Sequence, residues 1–275
     1  MQVHNVHERV LDAPAEAVGR LLDDIGRPHD ALWTSPEWSP MWLDGPPAVG
    51  TAGGHGSLRY RVTTYEPGRK IVFTLDPGQD LSGRHGFEVV ARGPDRAVLR
   101  HVVAGRARGG MRLLWPCVVR PVHDGILEQI LDRAELALGT GPERPTRLSA
   151  IARLARWAGA VFDSPPRWVA ALLAARLALV APVGIERADR SVFAVRDRTA
   201  TAAVVGADAG HLDFRAVVTV EPARVVLTTV VRRHNLRGRA YFALVRRIHP
   251  AVVAAMLSRA ATRFSRLPGG DRISA

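Results

Sequence analysis

Apolar and polar residues alternate along much of the first half of the chain with the period of a β-strand. Leu58, Tyr60 and Val62 alternate with Arg59, Arg61 and Thr63, and Ile71, Phe73 and Leu75 repeat the pattern on the next run. Successive side chains of a strand point to opposite faces, so these runs predict a sheet with one apolar face. Turn signals at Pro67-Gly68, Pro77-Gly78 and Gly93-Pro94-Asp95 separate the runs and make the sheet an antiparallel meander. Ahead of it lie a short strand over residues 6–11 and a helix opened by Asp12 and Pro14 and running through Leu22. Residues 33–47, rich in Trp and Pro, read as a short helix and loop. An apolar sheet face needs a cover. Ile126, Leu127, Ile130, Leu131, Ala134 and Leu138 supply it as one stripe of a helix, with Asp124, Glu128, Gln129, Asp132 and Arg133 on the other side.

The second half repeats this grammar. A helix opened by Asp163 and Pro165 runs through about residue 179, followed by strands at 192–197, 202–205, 211–220 and 225–232. A closing helix starts at His249-Pro250 and buries Val252, Val253, Met256, Leu257, Ala260 and Phe264. Wording recurs as well as grammar. P-D-R-A-V-L-R-H-V-V from Pro94 returns as P-A-R-V-V-L-T-T-V-V from Pro222. Asp12-Ala-Pro14 with Val18, Leu21 and Leu22 returns as Asp163-Ser-Pro165 with Val169, Leu172 and Leu173. Arg120, His123, Leu131, Arg133 and Ala134 return as Arg246, His249, Leu257, Arg259 and Ala260. Echoes in one order, far apart, imply one fold built twice, each copy with its own core. The expected boundaries are a domain over 1–140, a Gly- and Pro-rich linker over 141–147, and a second domain over 148–268. Asp163 to Pro222 is a shorter interval than Asp12 to Pro94, so the second copy lacks about one hairpin or a lid segment.

Composition narrows the setting. The net charge of +12 is uneven: residues 1–140 carry −1 and residues 141–275 carry +13. A basic half of that size suits an anionic partner, although Lys70 is the only lysine, and an Arg-for-Lys skew also fits a solvated surface with no dedicated partner. Cys117 is the single cysteine and cannot form an internal disulfide, which points to a reducing compartment. The N-terminus lacks the apolar core of a secretory signal, so a cytoplasmic location is expected. Residues 168–185 form the apolar run that most tempts a membrane reading, but Arg176 and Pro182 interrupt it and a buried helix fits better, so no integral membrane segment is expected.

Familiar catalytic signatures are missing. The chain has no C-x-x-C, H-E-x-x-H or G-x-S-x-G motif, and its ten histidines are scattered. His4 and His7 sit at the exposed start of a strand, a poor place for a metal, so neither metal nor cofactor is expected. Gly50-Thr-Ala-Gly-Gly-His-Gly56 fits neither a dinucleotide fingerprint nor a P-loop.

Strand, helical segment, meander and closing helix, together with Gly53-Gly-His-Gly56, Arg59-Tyr60, Tyr65-Glu-Pro-Gly68 and His123-Asp124, resemble the START-like or SRPBCC superfamily, which includes polyketide cyclase-like proteins and birch-pollen-type allergens. The second half, through His211-Leu-Asp-Phe-Arg215, Arg233-His-Asn235, Gly238-Arg239 and the His249 helix, is similar to a bacterial domain family of unknown function in that superfamily. The resemblance implies an α+β fold of two tandem helix-grip domains, each a curved antiparallel sheet wrapped around a long C-terminal helix. Relatives of the second domain often follow a nucleotide-binding domain, and no such fingerprint precedes it here.

Within that frame Trp33, Trp38 and Trp42 fall near the cavity mouth, as ligand wall or as ordinary lid packing. Tyr60, Phe73, Phe87 and His101 occupy strand positions that point inward. His101 is either a ligand anchor or base, or a core histidine bonded to a backbone carbonyl. Asp213 and Arg215 pose a register question. Alignment of Val217 with Val89 turns them into the grip as a paired polar anchor, whereas periodicity turns Leu212, Phe214, Ala216 and Val218 inward instead. His234, Asn235 and Tyr241 read as turn-shaping residues, and His123 and His249 as caps of the closing helices. The leading expectation is a binder of a small apolar or amphipathic ligand, lipid or polyketide-like. A cyclase- or hydratase-like enzyme using an inward His or the Asp and Arg pair, and a regulatory module with a basic second domain, are its rivals.

Overall fold

The computed structural model describes residues 1–33, 38–162, 165–180, 195–198, 202–221 and 224–265. The chain divides into two compact units, Met1–Ser149 and a second beginning at Ala150.

The first unit opens with β1 (Gln2–Leu11) and α1 (Ala15–Asp23), followed by β2 (Trp42–Leu43), β3 (Ala52–His55), β4 (Leu58–Glu66), β5 (Lys70–Leu75), β6 (Leu81–Ala91) and β7 (Ala97–Ala107). These strands make one antiparallel sheet in the order β1-β7-β6-β5-β4-β3-β2, so the first strand closes against the last. The alternation of the sequence is realised directly. Tyr60, Val62, Ile71, Phe73, Phe87, Val89 and Leu99 are buried on one face, under Leu127, Ile130, Leu131 and Ala134 of α3 (Arg120–Ala137). That helix does not begin where the sequence suggested. α2 (Met111–Leu114) and a π-helical turn over Trp115–Val119 lead straight into it, so His123 lies inside a helix rather than capping one.

α1 seats on the β4–β5 turn. A Cβ on Gly19 would lie 2.2 Å from the carbonyl oxygen of Gly68, which explains the glycine. Gly68 itself takes a left-handed conformation (φ 68°). Asp23 locks the contact by accepting from the Tyr65 hydroxyl at 2.9 Å and from the Gly68 N–H at 2.8 Å.

β1 inverts the usual rule. Its outward residues Val6 and Val10 are exposed, whereas Asn5, His7 and Arg9 turn inward to α3. The polar side of α3 is therefore not a solvated face: Arg9 pairs with Glu128 at 2.9 Å, with Glu135 at 2.5 Å and with Asp132 at 3.3 Å, and Asp132 is buried. Asp132 also accepts from the Thr146 N–H at 2.7 Å, which folds part of the expected 141–147 linker back onto the first unit.

The second unit contains α4 (Ala150–Phe162), α5 (Arg167–Val180), β8 (Val195–Arg198), β9 (Ala202–Asp208), β10 (Leu212–Val220), β11 (Val225–Arg233) and α6 (Leu236–Ser265). Its sheet is antiparallel in the order β11-β10-β9-β8. The expected strand start at 192–194, the capping Asp163 and the echoed Pro222 lie outside the described residues.

Two features of this unit differ from expectation. α4 was not anticipated, yet Ala152, Leu154, Trp157, Ala158 and Val161 give it a buried stripe. α6 starts thirteen residues before His249, because Asn235 accepts from the Gly238 N–H at 3.0 Å and caps the helix there. Pro250 sits within α6. The helix then buries Met256, Ala260 and Phe264, with the Phe264 ring edge-on to Trp157 at 4.5 Å. By length and composition the stretch Leu236–Thr262 is also apolar enough to cross a membrane, a candidate that the reading centred on residues 168–185 overlooked. Arg246 and Arg247 stand in its middle.

Periodicity settles the register of β10. Leu212, Ala216 and Val218 are buried, so Asp213 and Arg215 occupy the opposite face. They do not pair with each other: Asp213 meets His234 at 2.9 Å, and Arg215 meets Asp208 at 2.5 Å. The inward polar anchor is therefore not formed, because turning it in would expose Val218.

Candidate functional site: the cavity of the first unit

A cavity lies between the sheet of the first unit and α3. About 80 Å³ of it is open to the centres of water-sized molecules. One water needs roughly 10–15 Å³ by that measure, so the space holds several waters or a ring-sized guest rather than a long acyl chain.

Each wall has a legible cause. Tyr60, Phe73, His85, Phe87 and His101 come from the inward positions of four adjacent strands and form a continuous set of rings. Phe73 stacks on His85 at 5.2 Å, and Phe87 lies 4.5 Å from His101. Trp115, His123, Ile126, Leu127 and Ile130 face them from the helical side. Gly83 and Gly105 also line it, where a Cβ on Gly83 would sit 2.4 Å from the Gly105 Cα.

Trp33 also lines the cavity, with its ring 5.0 Å from His55. Asp30 holds it there by accepting from the N–H groups of Gly26, Leu32 and Trp33, and Arg133 of α3 donates to the Ala31 carbonyl at 2.9 Å. Burial raises the Asp30 carboxyl despite those three donors. The other two tryptophans do not line the cavity. Trp38 is buried and donates to Gln129 at 2.7 Å, and Trp42 is exposed beneath the Arg59 guanidinium. Among the expected residues, the structure thus brings Trp33, Tyr60, Phe73, Phe87 and His101 together and leaves Trp38, Trp42, Asp213 and Arg215 elsewhere.

The sequence reading missed the histidines. Its ten looked scattered, yet His55, His85, His101 and His123 all line the cavity. His85 was recoverable, since it precedes Phe87 by two on the same strand face. Burial, reinforced by neighbouring histidines, lowers the pKa of each. His55 falls to about 4 and His85 to about 3, while His101 is held well below its ordinary value. His123 is lowered by burial against the opposing pull of Asp124. All four are neutral at pH 7. His55 Nδ1 lies 3.1 Å from the Tyr60 hydroxyl, whose own pKa burial raises. Nε2 of His85 and Nδ1 of His101 are buried and meet no protein hydrogen-bond partner. Such atoms are rare, because leaving one unmade costs about 1–3 kcal/mol.

A second polar cluster adjoins the cavity. His7 on β1 contacts Glu128 through Nδ1 at 2.7 Å and Asp124 through Nε2 at 3.0 Å, so it is not at an exposed strand start. Ligand atoms of His7, His123 and Asp124 all fall within 4.8 Å of one another.

Topology decides the fold of this unit: an antiparallel sheet whose first and last strands pair, a long closing helix across one face, and a cavity between them. It is a helix-grip fold. Solved structures similar to about half of the chain include a Thermobifida fusca protein with 20% identity, covering 52% of this chain and 97% of that one at a TM-score of 0.40. Norcoclaurine synthase from Thalictrum flavum has 14% identity, covering 52% and 91% at a TM-score of 0.39. A START superfamily protein from Mycobacterium smegmatis has 15% identity, covering 50% and 98% at a TM-score of 0.36. Residues 142–256 match the family described as protein of unknown function (DUF2867). No curated protein matches the chain by sequence.

Proposed function

We propose that the helix-grip unit binds a small, mostly apolar, ring-sized molecule that carries a hydroxyl or similar polar atom. The observation that carries this reading is the pair of buried ring nitrogens, His85 Nε2 and His101 Nδ1, that lack protein partners on residues lining an otherwise largely apolar cavity. A neutral imidazole nitrogen either donates or accepts, according to tautomer. A hydroxyl can do both, so it satisfies either arrangement, while the aromatic walls bury the rest of the guest. The leading roles fall to His85, His101, Tyr60, Phe73, Phe87 and Trp33.

The same histidines argue against proton-transfer catalysis. A general base works best with a pKa near the operating pH, and His55 and His85 are tuned to about 4 and about 3. The charge of the second unit fits an anionic partner, and retention on an anionic resin or nucleic acid that falls steeply with salt supports that part of the reading.

Titration of the full chain with a panel of phenols, followed by tryptophan fluorescence, tests guest binding, because Trp33 and Trp115 line the cavity. The expected result is a saturable signal for at least one phenol. Val103→Phe, which fills the space, abolishes it, and His101→Phe weakens phenol more than toluene. Equal signals in wild type and Val103→Phe contradict the reading.

A further inference from the structure

We infer that His7, His123 and Asp124 form a binding site for a divalent first-row transition-metal ion, with Zn²⁺ as its simplest occupant. The ligand set is two imidazoles and one carboxylate, a combination that zinc and its neighbours favour. Its atoms are nearly in place. His7 Nε2 is 3.0 Å and His123 Nδ1 is 3.9 Å from Asp124 Oδ1. Adjacent ligands of a tetrahedral zinc ion stand about 3.3–3.4 Å apart, given metal–ligand bonds of about 2.0–2.1 Å, so shifts well under 1 Å suffice for these two contacts.

Three independent features point to a ligand rather than to a chance ion pair. His123 Nδ1 is buried and has no hydrogen-bond partner. His7 turns its other nitrogen, Nδ1, to Glu128 Oε1 at 2.7 Å, and Arg9 holds the second oxygen of Glu128 at 2.9 Å. A carboxylate on the far nitrogen is the outer support that metal-bound histidines almost always have; Nε2 itself faces Asp124 Oδ1 at 3.0 Å, so it must give up that contact, and any proton it donates there, in order to coordinate. Asn5 donates to Asp124 Oδ1 at 2.9 Å and orients that carboxylate. The supporting strand and helix are both regular elements, so the donors are held without a loop.

His123 belongs to the cavity wall as well as to this cluster, so the ion would stand beside the guest space. The inference does not rest on guest binding, and its test contains no guest. Untagged, chelator-treated full chain is titrated with Zn²⁺ by calorimetry and with Co²⁺ by visible absorption. The expected result is one ion per chain with micromolar or tighter affinity. Asp124→Asn and His123→Gln should each weaken binding at least tenfold, Glu128→Gln about tenfold as a positioning residue, and His4→Gln not at all. Imidazole ¹⁵N signals of His7 and His123 should shift with Zn²⁺ while those of His4 and His29 stay fixed, a readout that needs no variant to fold. No binding at 100 µM Zn²⁺, unchanged affinity in Asp124→Asn, or fixed His7 and His123 signals would overturn the site.

Discussion

The two closing helices carry the same echo and live differently. α3 is held on both sides: Leu127, Ile130, Leu131 and Ala134 sit under the sheet, and its acidic side is clasped by Asn5, His7 and Arg9 of β1. α6 buries Met256, Ala260 and Phe264 in its later half, while Leu236, Leu244 and Ile248 in its earlier half are exposed. The difference follows from the strand beyond. β7 is flanked by β6 and β1, whereas among the described residues β11 has β10 alone. A closing helix becomes a cavity wall when a further strand turns polar groups inward to grip its second side, and apolar burial alone does not produce that arrangement.

The comparison can be broken most forcefully from inside the helix-grip unit. Phe73→Ala removes a fully buried ring that packs on Tyr60 and His85, and should cost about 3–5 kcal/mol in denaturant unfolding of the first unit. Acid comes next. Folded His55 and His85 titrate near 4 and 3, below the value of 6.5 they have when unfolded, so the unfolded chain takes up protons that the folded chain refuses. Stability is then complete above about pH 6.5 and declines as pH falls, by about 3–4 kcal/mol between pH 7 and pH 5 for the two together. His85→Phe should flatten that decline in a pH series of urea melts. Gly19→Ala drives a methyl into the Gly68 carbonyl and should lose about 1–3 kcal/mol by the same melts. Smallest of all, Leu244→Ala on the exposed half of α6 should change stability by less than about 0.5 kcal/mol. A large loss there would show that α6 is clasped as α3 is.

Much of this was legible in the chain. Period-two alternation found β4 and β5 and turned Tyr60, Phe73, Phe87 and His101 inward, and the stripe from Ile126 to Leu138 found the covering helix. What hid was polar. β1 carries Val6 and Val10 outward and Asn5, His7 and Arg9 inward, so hydrophobic periodicity reads this part of the strand inside out. The compensating acids on α3 lie more than a hundred residues away, beyond the reach of any local pattern. His123 passed for a cap because it lies just ahead of the apolar stripe that begins at Ile126, whereas α2 and a π-helical turn carry the helix through it. Asp213 and Arg215 stayed open because the alignment of echoes and the apolar count of their own strand disagreed, and the apolar count was the better guide.

The central claim is that His85 and His101 keep ring nitrogens in reserve for a guest. Long-range ¹H–¹⁵N NMR of the imidazoles, recorded on the full chain during titration with phenol, addresses those atoms directly. Saturable shifts at His85 and His101, absent in Val103→Phe, are the predicted result. Saturating phenol that leaves both rings unmoved would contradict the account.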